Sequence, residues 1–262
     1  MSAPAAQFFN EYARHRAAEG RALRGEDLRS LPYLRAGPLA RQWAVRAKTF
    51  EAFVNRIVGP LAGRGALDIL DLGAGNGWLC YRLACSGHHA IALDLRDDDI
   101  DGLGAAADLA TDSAGRFHCV RASFESLPFA DRSFDLAIFN ASLHYATELG
   151  RALAETVRVT RPGGMLAVLD SPFYPCERAG QRMVAEKKAQ AADRFGPSAD
   201  VLVSQNFIEF LTRQRLKAAR GSLSWSRHRV RYPLWYEMRP LFAWLRGRRR
   251  PSRFDVWSAR VP

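Results

Sequence analysis

A chain of 262 residues with 48% apolar side chains can bury a full α/β core, which sets aside disordered and fibrous classes. Its formal charge of +11 is unevenly placed: Arg213 to Arg260 holds fourteen Arg/Lys against Glu237 and Asp255, leaving the remainder near neutral. Four cysteines, at 80, 85, 119 and 176, make no C-x-x-C pair, no zinc spacing and no C-x-x-x-C-x-x-C run of radical enzymes, so neither disulfides nor a metal site are expected.

In chain order, Met1 to Asn10 lacks the charged-then-apolar pattern of a secretory leader. No later run of about 20 apolar residues can span a bilayer. A cytoplasmic protein with reduced thiols is the expectation. Residues 1–40 mix charges with glycines at 20, 25 and 37 and prolines at 32 and 38, which predicts an arm of short helices or irregular chain without chemistry of its own. Trp43, Ala47, Phe50, Val54 and Ile57 then repeat at helical spacing, and Gly59-Pro60 is expected to end that helix.

The most informative stretch is Ile69-Leu70-Asp71-Leu72-Gly73-Ala74-Gly75-Asn76-Gly77-Trp78-Leu79. A largely apolar strand, Leu67 to Leu72, breaks into three glycines within five residues, and a helix is expected from near Gly77. Such a turn lets backbone amides approach a nucleotide-type ligand with no side chain in the way. A dinucleotide fingerprint needs G-x-G-x-x-G, but Trp78 holds its third glycine position. No Gly-Lys-Ser/Thr follows for a P-loop. What remains resembles the first motif of class I S-adenosylmethionine-dependent methyltransferases, an acidic residue followed by G-x-G-x-G. The resemblance implies that Gly73, Gly75 and Gly77 give backbone access to the methionine part and ribose of S-adenosylmethionine. It also implies that Asp71 sits under the turn, oriented towards the cofactor's ammonium group, often through water. The helix from Arg41 to Val58 would pack beside the first strand; Trp43 is expected in the core, although it or Arg46 can touch the ligand.

His89 to Asp94 reads as a second buried strand ending in a carboxylate 23 residues after Asp71. At that place an ionised carboxylate can accept both ribose hydroxyls, and Leu95 beside it is included in the cofactor site. Asp97, Asp98, Asp99 and Asp101 are read as negative charge favoured at the next helix N-terminus. A third strand, Phe117 to Ala122, precedes Ser123-Phe124-Glu125-Ser126-Leu127-Pro128-Phe129-Ala130-Asp131-Arg132-Ser133-Phe134-Asp135. This resembles the D-x-x-x-L-P-F-x-x-x-x-F-D passage of small-molecule methyltransferases such as those of quinone biosynthesis. There an Asp commonly recognises the adenine amino group. Ser123 replaces it here, and Phe124 is expected to complete the adenine pocket.

Phe134 to Asn140 is the fourth strand, followed by Ala141-Ser142-Leu143-His144-Tyr145, similar to the "ALHH" passage of the quinone-type enzymes. Ligands of open α/β sheets lie beyond the strands' carboxyl ends, which places Asn140, His144 and Tyr145 where cofactor and acceptor meet. His144 is read either as a general base or as a wall of the pocket. Asn140 to Leu143 is not the (D/N)-P-P-(Y/F) of amino-methyltransferases. A helix with Leu149, Leu153 and Val157 leads through Arg161-Pro162-Gly163-Gly164 to a fifth strand, Met165 to Asp170. Asp170-Ser171-Pro172-Phe173-Tyr174-Pro175-Cys176 mimics amino- and cytosine-methyltransferase motifs but follows the wrong strand. Tyr174 is read as a substrate-pocket wall.

Residues 177–195 form a charged helix, and Val201 to Ala219 a second region with Phe207, Ile208 and Leu211 on one side. Leu223 to Val230 and Phe254 to Val261 alternate as strands, the latter antiparallel by the resemblance. Between them Tyr232 to Arg250 carries an aromatic stripe before the arginines, expected to pack over the substrate cleft or, alternatively, to lie at an interface. The arginine cluster at 246, 248, 249, 250 and 253 is read first as a solvated face, then as a weak contact with an anionic membrane surface.

The chain therefore reads as an α/β protein with a doubly wound, seven-stranded, mostly parallel Rossmann-like sheet: an arm at 1–40 and a methyltransferase domain at 41–262 with an insert at about 232–250. The expected function is S-adenosylmethionine-dependent methyl transfer to a small aromatic or lipid-like acceptor. An RNA methyltransferase using the arginine cluster and a non-catalytic cofactor-binding scaffold are the alternatives, with nucleic acid disfavoured.

Overall fold

The computed structural model describes residues 3–63 and 65–262. Helix α1 (Ala3–Ala18) is followed by α2 (Gly25–Ser30) and α3 (Ala40–Phe53), a π-helical turn (Val54–Val58) and α4 (Gly59–Ala62). Then come β1 (Asp68–Leu72), α5 (Trp78–Cys85), β2 (His89–Asp94), α6 (Leu103–Thr111), β3 (Phe117–Arg121), β4 (Phe134–Asn140), α7 (Leu149–Val159) and β5 (Thr160–Leu169). The remainder holds α8 (Glu177–Ala189), α9 (Ala191–Phe195), α10 (Ala199–Val203), α11 (Arg213–Ala219), β6 (Trp225–His228), α12 (Leu234–Glu237), α13 (Arg239–Leu245) and β7 (Val256–Arg260).

The seven strands form one sheet in the order β3-β2-β1-β4-β5-β7-β6, with β7 antiparallel to both neighbours and the other strands parallel. Side chains alternate across each strand, so both faces of the sheet need cover. Ile69, Ala90, Ala92, Leu136 and Ile138 pack under residues of α2, α3, α5 and α6. Leu70, Leu72, Ala137, Phe139 and Leu166 pack under α7 and α11. Strand order reverses between β1 and β4, and ligands of such sheets bind outside the strand ends at that point.

Four expectations need correction. The helix starting at residue 40 does not stop at Gly59-Pro60. The π turn bonds the Gly59 N–H to the Val54 carbonyl, and Pro60 falls at the start of α4, where its missing N–H breaks no helical bond. The Arg161–Gly164 turn is a bulge inside a longer β5, because pairing jumps from Phe134–Thr160 to Leu136–Met165. Residues 201–219 are not one apolar-sided region: α10 ends at Val203, the chain extends to bridge Leu211 with Phe173, and Thr212 caps α11 by accepting the Arg215 N–H. The stripe from Leu234 to Leu245 does not pack over a cleft, since Leu234, Trp235, Leu241, Phe242, Trp244 and Leu245 are all exposed.

Candidate functional site

The glycine turn leaves β1 as the sequence predicts, but its three glycines do different things. All have positive φ, at 76°, 56° and 70° for Gly73, Gly75 and Gly77. A Cβ on Gly73 would lie 2.5 Å from the Ser142 Cβ, and one on Gly77 would lie 2.6 Å from Phe117 Cζ. Gly73 and Gly75 line a cavity at the carboxyl ends of the strands, whereas Gly77 does not. Gly77 instead allows the close seating of α5 against β3 and α6.

Asp94 binds the turn together. Its Oδ2 accepts the Gly75 N–H at 2.9 Å and its Oδ1 the Arg96 N–H at 2.9 Å. An ionised carboxylate has about four acceptor sites, so two backbone donors leave two for hydroxyl groups of a ligand. Burial pushes the Asp94 carboxyl up, opposed by those same N–H groups. Leu95, Ser123 and Phe124 line the same cavity, with Phe124 held edge-on to Phe139 at 5.6 Å. Ser123 Oγ accepts the Glu125 N–H at 3.1 Å, which fixes the loop after β3. Asp71 lies below the turn, fully buried and not on the cavity wall. Its Oδ1 has no protein partner and its Oδ2 meets only the Cys80 thiol, at 3.9 Å. Burial, with the nearby Asp94 charge, pushes the Asp71 carboxyl up to about 8.

At the end of β4, Asn140 is buried on the cavity wall with its Oδ1 unpartnered. Tyr145 lines the cavity, its hydroxyl 2.9 Å from that of Tyr12. His144 turns the other way: it is not among the lining residues, and its ring rests against Tyr145 at 4.3 Å. Burial, with the nearby charges of Lys187 and Arg46, holds the imidazole pKa down at about 3. The ring is therefore neutral and a weak base. Tyr174 is also away from the cavity, contrary to expectation. It is buried against Phe210, and its hydroxyl accepts from Arg249 Nη1 at 3.0 Å. We expect His144→Asn to leave kcat within about threefold, where removing a general base costs about 10²-fold or more; initial rates at saturating acceptor decide between the two.

The N-terminal arm, expected to be inert, supplies one wall of the cavity. Phe8, Phe9, Tyr12 and Arg16 of α1 line it. Phe8 meets Phe207 at 5.4 Å, and Arg16 bonds Asp101 at 2.6 Å. Asp101 also accepts from Asn76 Nδ2 at 3.2 Å, so it ties α1 to the glycine turn and does more than charge a helix terminus. The spacing of Phe8, Tyr12 and Arg16, four residues apart, was a visible helical face that could have revealed this. Trp43 is both buried and on the cavity wall, with its Nε1 unpartnered. Arg46 lines the cavity as well and pairs with Asp170 at 3.1 Å.

Residues 70–168 match the family model described as "Methyltransferase domain". Over this segment the chain is thus similar to methyltransferase domains. A demethylmenaquinone methyltransferase of Clavibacter sepedonicus is 35% identical over 154 residues, 58% of this chain and 57% of that protein. A malonyl-[acyl-carrier protein] O-methyltransferase of Erwinia pyrifoliae is 33% identical over 130 residues, 50% of this chain and 47% of the relative. The chain thus spans about half the length of the curated relatives it matches. The solved Burkholderia thailandensis 1,6-didemethyltoxoflavin-N1-methyltransferase, with bound S-adenosylhomocysteine, shares the fold. Its TM-score is 0.56 at 18% identity, covering all of this chain (100%) and 91% of that one. The residues present fit S-adenosylmethionine: Asp94 keeps free acceptor sites on the cavity side, and Asp71 Oδ1, Asn140 Oδ1 and Trp43 Nε1 are buried polar atoms without protein partners.

Proposed function

We propose that the chain transfers a methyl group from S-adenosylmethionine to a small aromatic or lipid-like acceptor. The observation that carries this reading is the make-up of the cavity. One half is the glycine turn with Asp94, Ser123 and Phe124; the other is aromatic, with Phe8, Phe9, Tyr12, Tyr145 and Phe207. Its empty space, mouth included, is about 1210 Å³. Arg246, Arg248, Arg249 and Arg250 are not among its lining residues, which counts against an RNA acceptor.

When bound, S-adenosylmethionine supplies an already activated methyl group. The protein's task is then to hold the acceptor in line and to keep water out. Tyr12 and Tyr145 present paired hydroxyls for orientation, and the surrounding rings give apolar contact area. Burial pushes the Tyr145 hydroxyl well up, so it stays protonated and donates rather than abstracts a proton. With His144 neutral and turned away, the acceptor's own nucleophilic atom sets the rate.

Purified chain incubated with methyl-labelled cofactor and a metabolite extract is expected to label the small aromatic or lipid fraction and not total RNA. Asp94→Ala is expected to weaken cofactor binding by ~1–3 kcal/mol through lost charge-assisted hydrogen bonds, measured by calorimetry. Label found only in RNA would reject the proposed substrate class, and tight cofactor binding without any turnover would favour the scaffold reading.

A further inference from the structure

Among the described residues, eight large apolar side chains are exposed, and six of them lie on the helix pair α12–α13. Leu234, Trp244 and Leu245 are 76%, 74% and 64% exposed, and no residue of α13 is buried. The pair is nonetheless firmly attached. Tyr236 is buried, Arg239 lies 3.5 Å over its ring, and Arg253 clamps Glu237 at 2.7 Å. An apolar face held rigidly in water marks a surface awaiting a partner.

The arginines beside it sort into two groups. Arg249 pairs with Glu186, and Arg253 with Glu237 and Asp255, so both are committed to the fold. Arg246, Arg248 and Arg250 are exposed and have no carboxylate partner among the described residues. Arg41 stacks on Trp235 at 4.8 Å and adds a cation at the other end of the stripe. The only carboxylate on either helix, Glu237, is already neutralised by Arg253.

We propose that α12–α13 and the arginines that follow dock on an anionic lipid surface. The apolar and aromatic side chains would enter the boundary between headgroups and acyl chains, and Arg246, Arg248 and Arg250 would meet the lipid phosphates. Charge complementarity singles out this occupant: the patch is apolar in the middle, cationic at its edge and free of unpaired acids, which is the composition of an interfacial helix. No helix among the described residues is long and apolar enough to cross a membrane, so the contact is with one leaflet. Trp235 touches the start of α3, whose Trp43 lines the cavity, so docking sets that wall beside the membrane.

Sedimentation with phosphatidylcholine vesicles, with and without phosphatidylglycerol, tests this. The native chain is expected to follow the anionic vesicles, to ignore the neutral ones and to be released by salt. Replacing Arg246, Arg248 and Arg250 with Gln is expected to lower the partition coefficient about a hundredfold, from about 1 kcal/mol per arginine. Trp244→Ser with Leu245→Ser is expected to lower it at least tenfold, with cofactor affinity unchanged in both variants because neither touches the cavity. Binding lost with the arginines but untouched by the Ser pair would be surface adsorption and would overturn docking by the apolar stripe. So would a native chain that ignores anionic vesicles at low salt, whether it instead binds an acidic protein or forms a dimer that Trp244→Ser dissolves.

Discussion

Gly75→Val is expected to abolish binding of S-adenosylmethionine while leaving a folded protein. Gly75 lines the cavity at φ 56°, and its N–H is held by Asp94. A β-branched residue is strained in that conformation and puts its side chain against the Asp101 carbonyl, 3.1 Å from an added Cβ. The turn must shift, and with it the Asp94 oxygens that face the ligand. Gly77→Val is the control that separates ligand access from packing. Its Cβ would meet Phe117 Cζ at 2.6 Å and Ala106 Cβ at 2.9 Å, both on buried side chains. Overpacking costs about 1–3 kcal/mol and left-handed strain about 1–2 more, so Tm is expected to fall by about 10 °C. Calorimetry and thermal denaturation on both variants check the pair. Native affinity in Gly75→Val would remove the turn from the ligand site, and a native Tm with lost binding in Gly77→Val would place the ligand where we place packing.

That contrast also shows where sequence and structure part. The strand, the glycine turn and the carboxylate of Asp94 were legible because local chemistry dictates them: only glycine tolerates three positive φ values in five residues, and a strand-end Asp in this register can reach the turn. The seven-stranded, mostly parallel sheet with its antiparallel last strand followed from the resemblance to class I methyltransferases. What pattern alone did not reveal depends on distant contacts. Tyr174 looked like a pocket residue because it follows β5, yet Phe210 and Arg249 draw it into a different cluster. His144 sits one residue from a cavity wall, and on a short 3-10 turn one residue is enough to aim it elsewhere. The first arm read as inert, because the four-residue spacing of Phe8, Tyr12 and Arg16 marks a helical face without saying what it packs against, here a cavity that residues far along the chain help to build. The apolar stripe at 234–245 misled in the opposite sense: composition implied a core, and only the three-dimensional arrangement leaves it outside.

The sharpest test of the site is Asp71, where stability and binding are expected to move in opposite directions. In the folded chain its carboxyl is raised to about 8, against about 3.9 for an ordinary aspartate in the unfolded chain. A group raised on folding contributes stability that is complete below the unfolded value. That contribution is lost as pH climbs from about 4 towards 8, because the folded state must then bury a charge or hold a proton the solvent no longer supplies. Asp71→Asn has no such proton to lose. We therefore expect the variant without cofactor to match the native chain near pH 4 and to exceed it at pH 8 by a few kcal/mol, raising Tm by several degrees. In binding the order is reversed. If the Asp71 carboxylate faces the ammonium group of S-adenosylmethionine, through water or directly, ligand binding stabilises its charged form and expels its proton. At pH 7 the native chain is then expected to release close to one proton per cofactor bound, read from calorimetry in buffers of different ionisation heat. Asp71→Asn is expected to release none and to bind at least about tenfold more weakly, as the loss of a charge-assisted contact requires. A variant that binds as tightly as the native chain, with no difference in proton release, would show that the buried carboxylate serves the fold alone; the cost it imposes on the cofactor-free protein at pH 8 would then stand without a function to offset it.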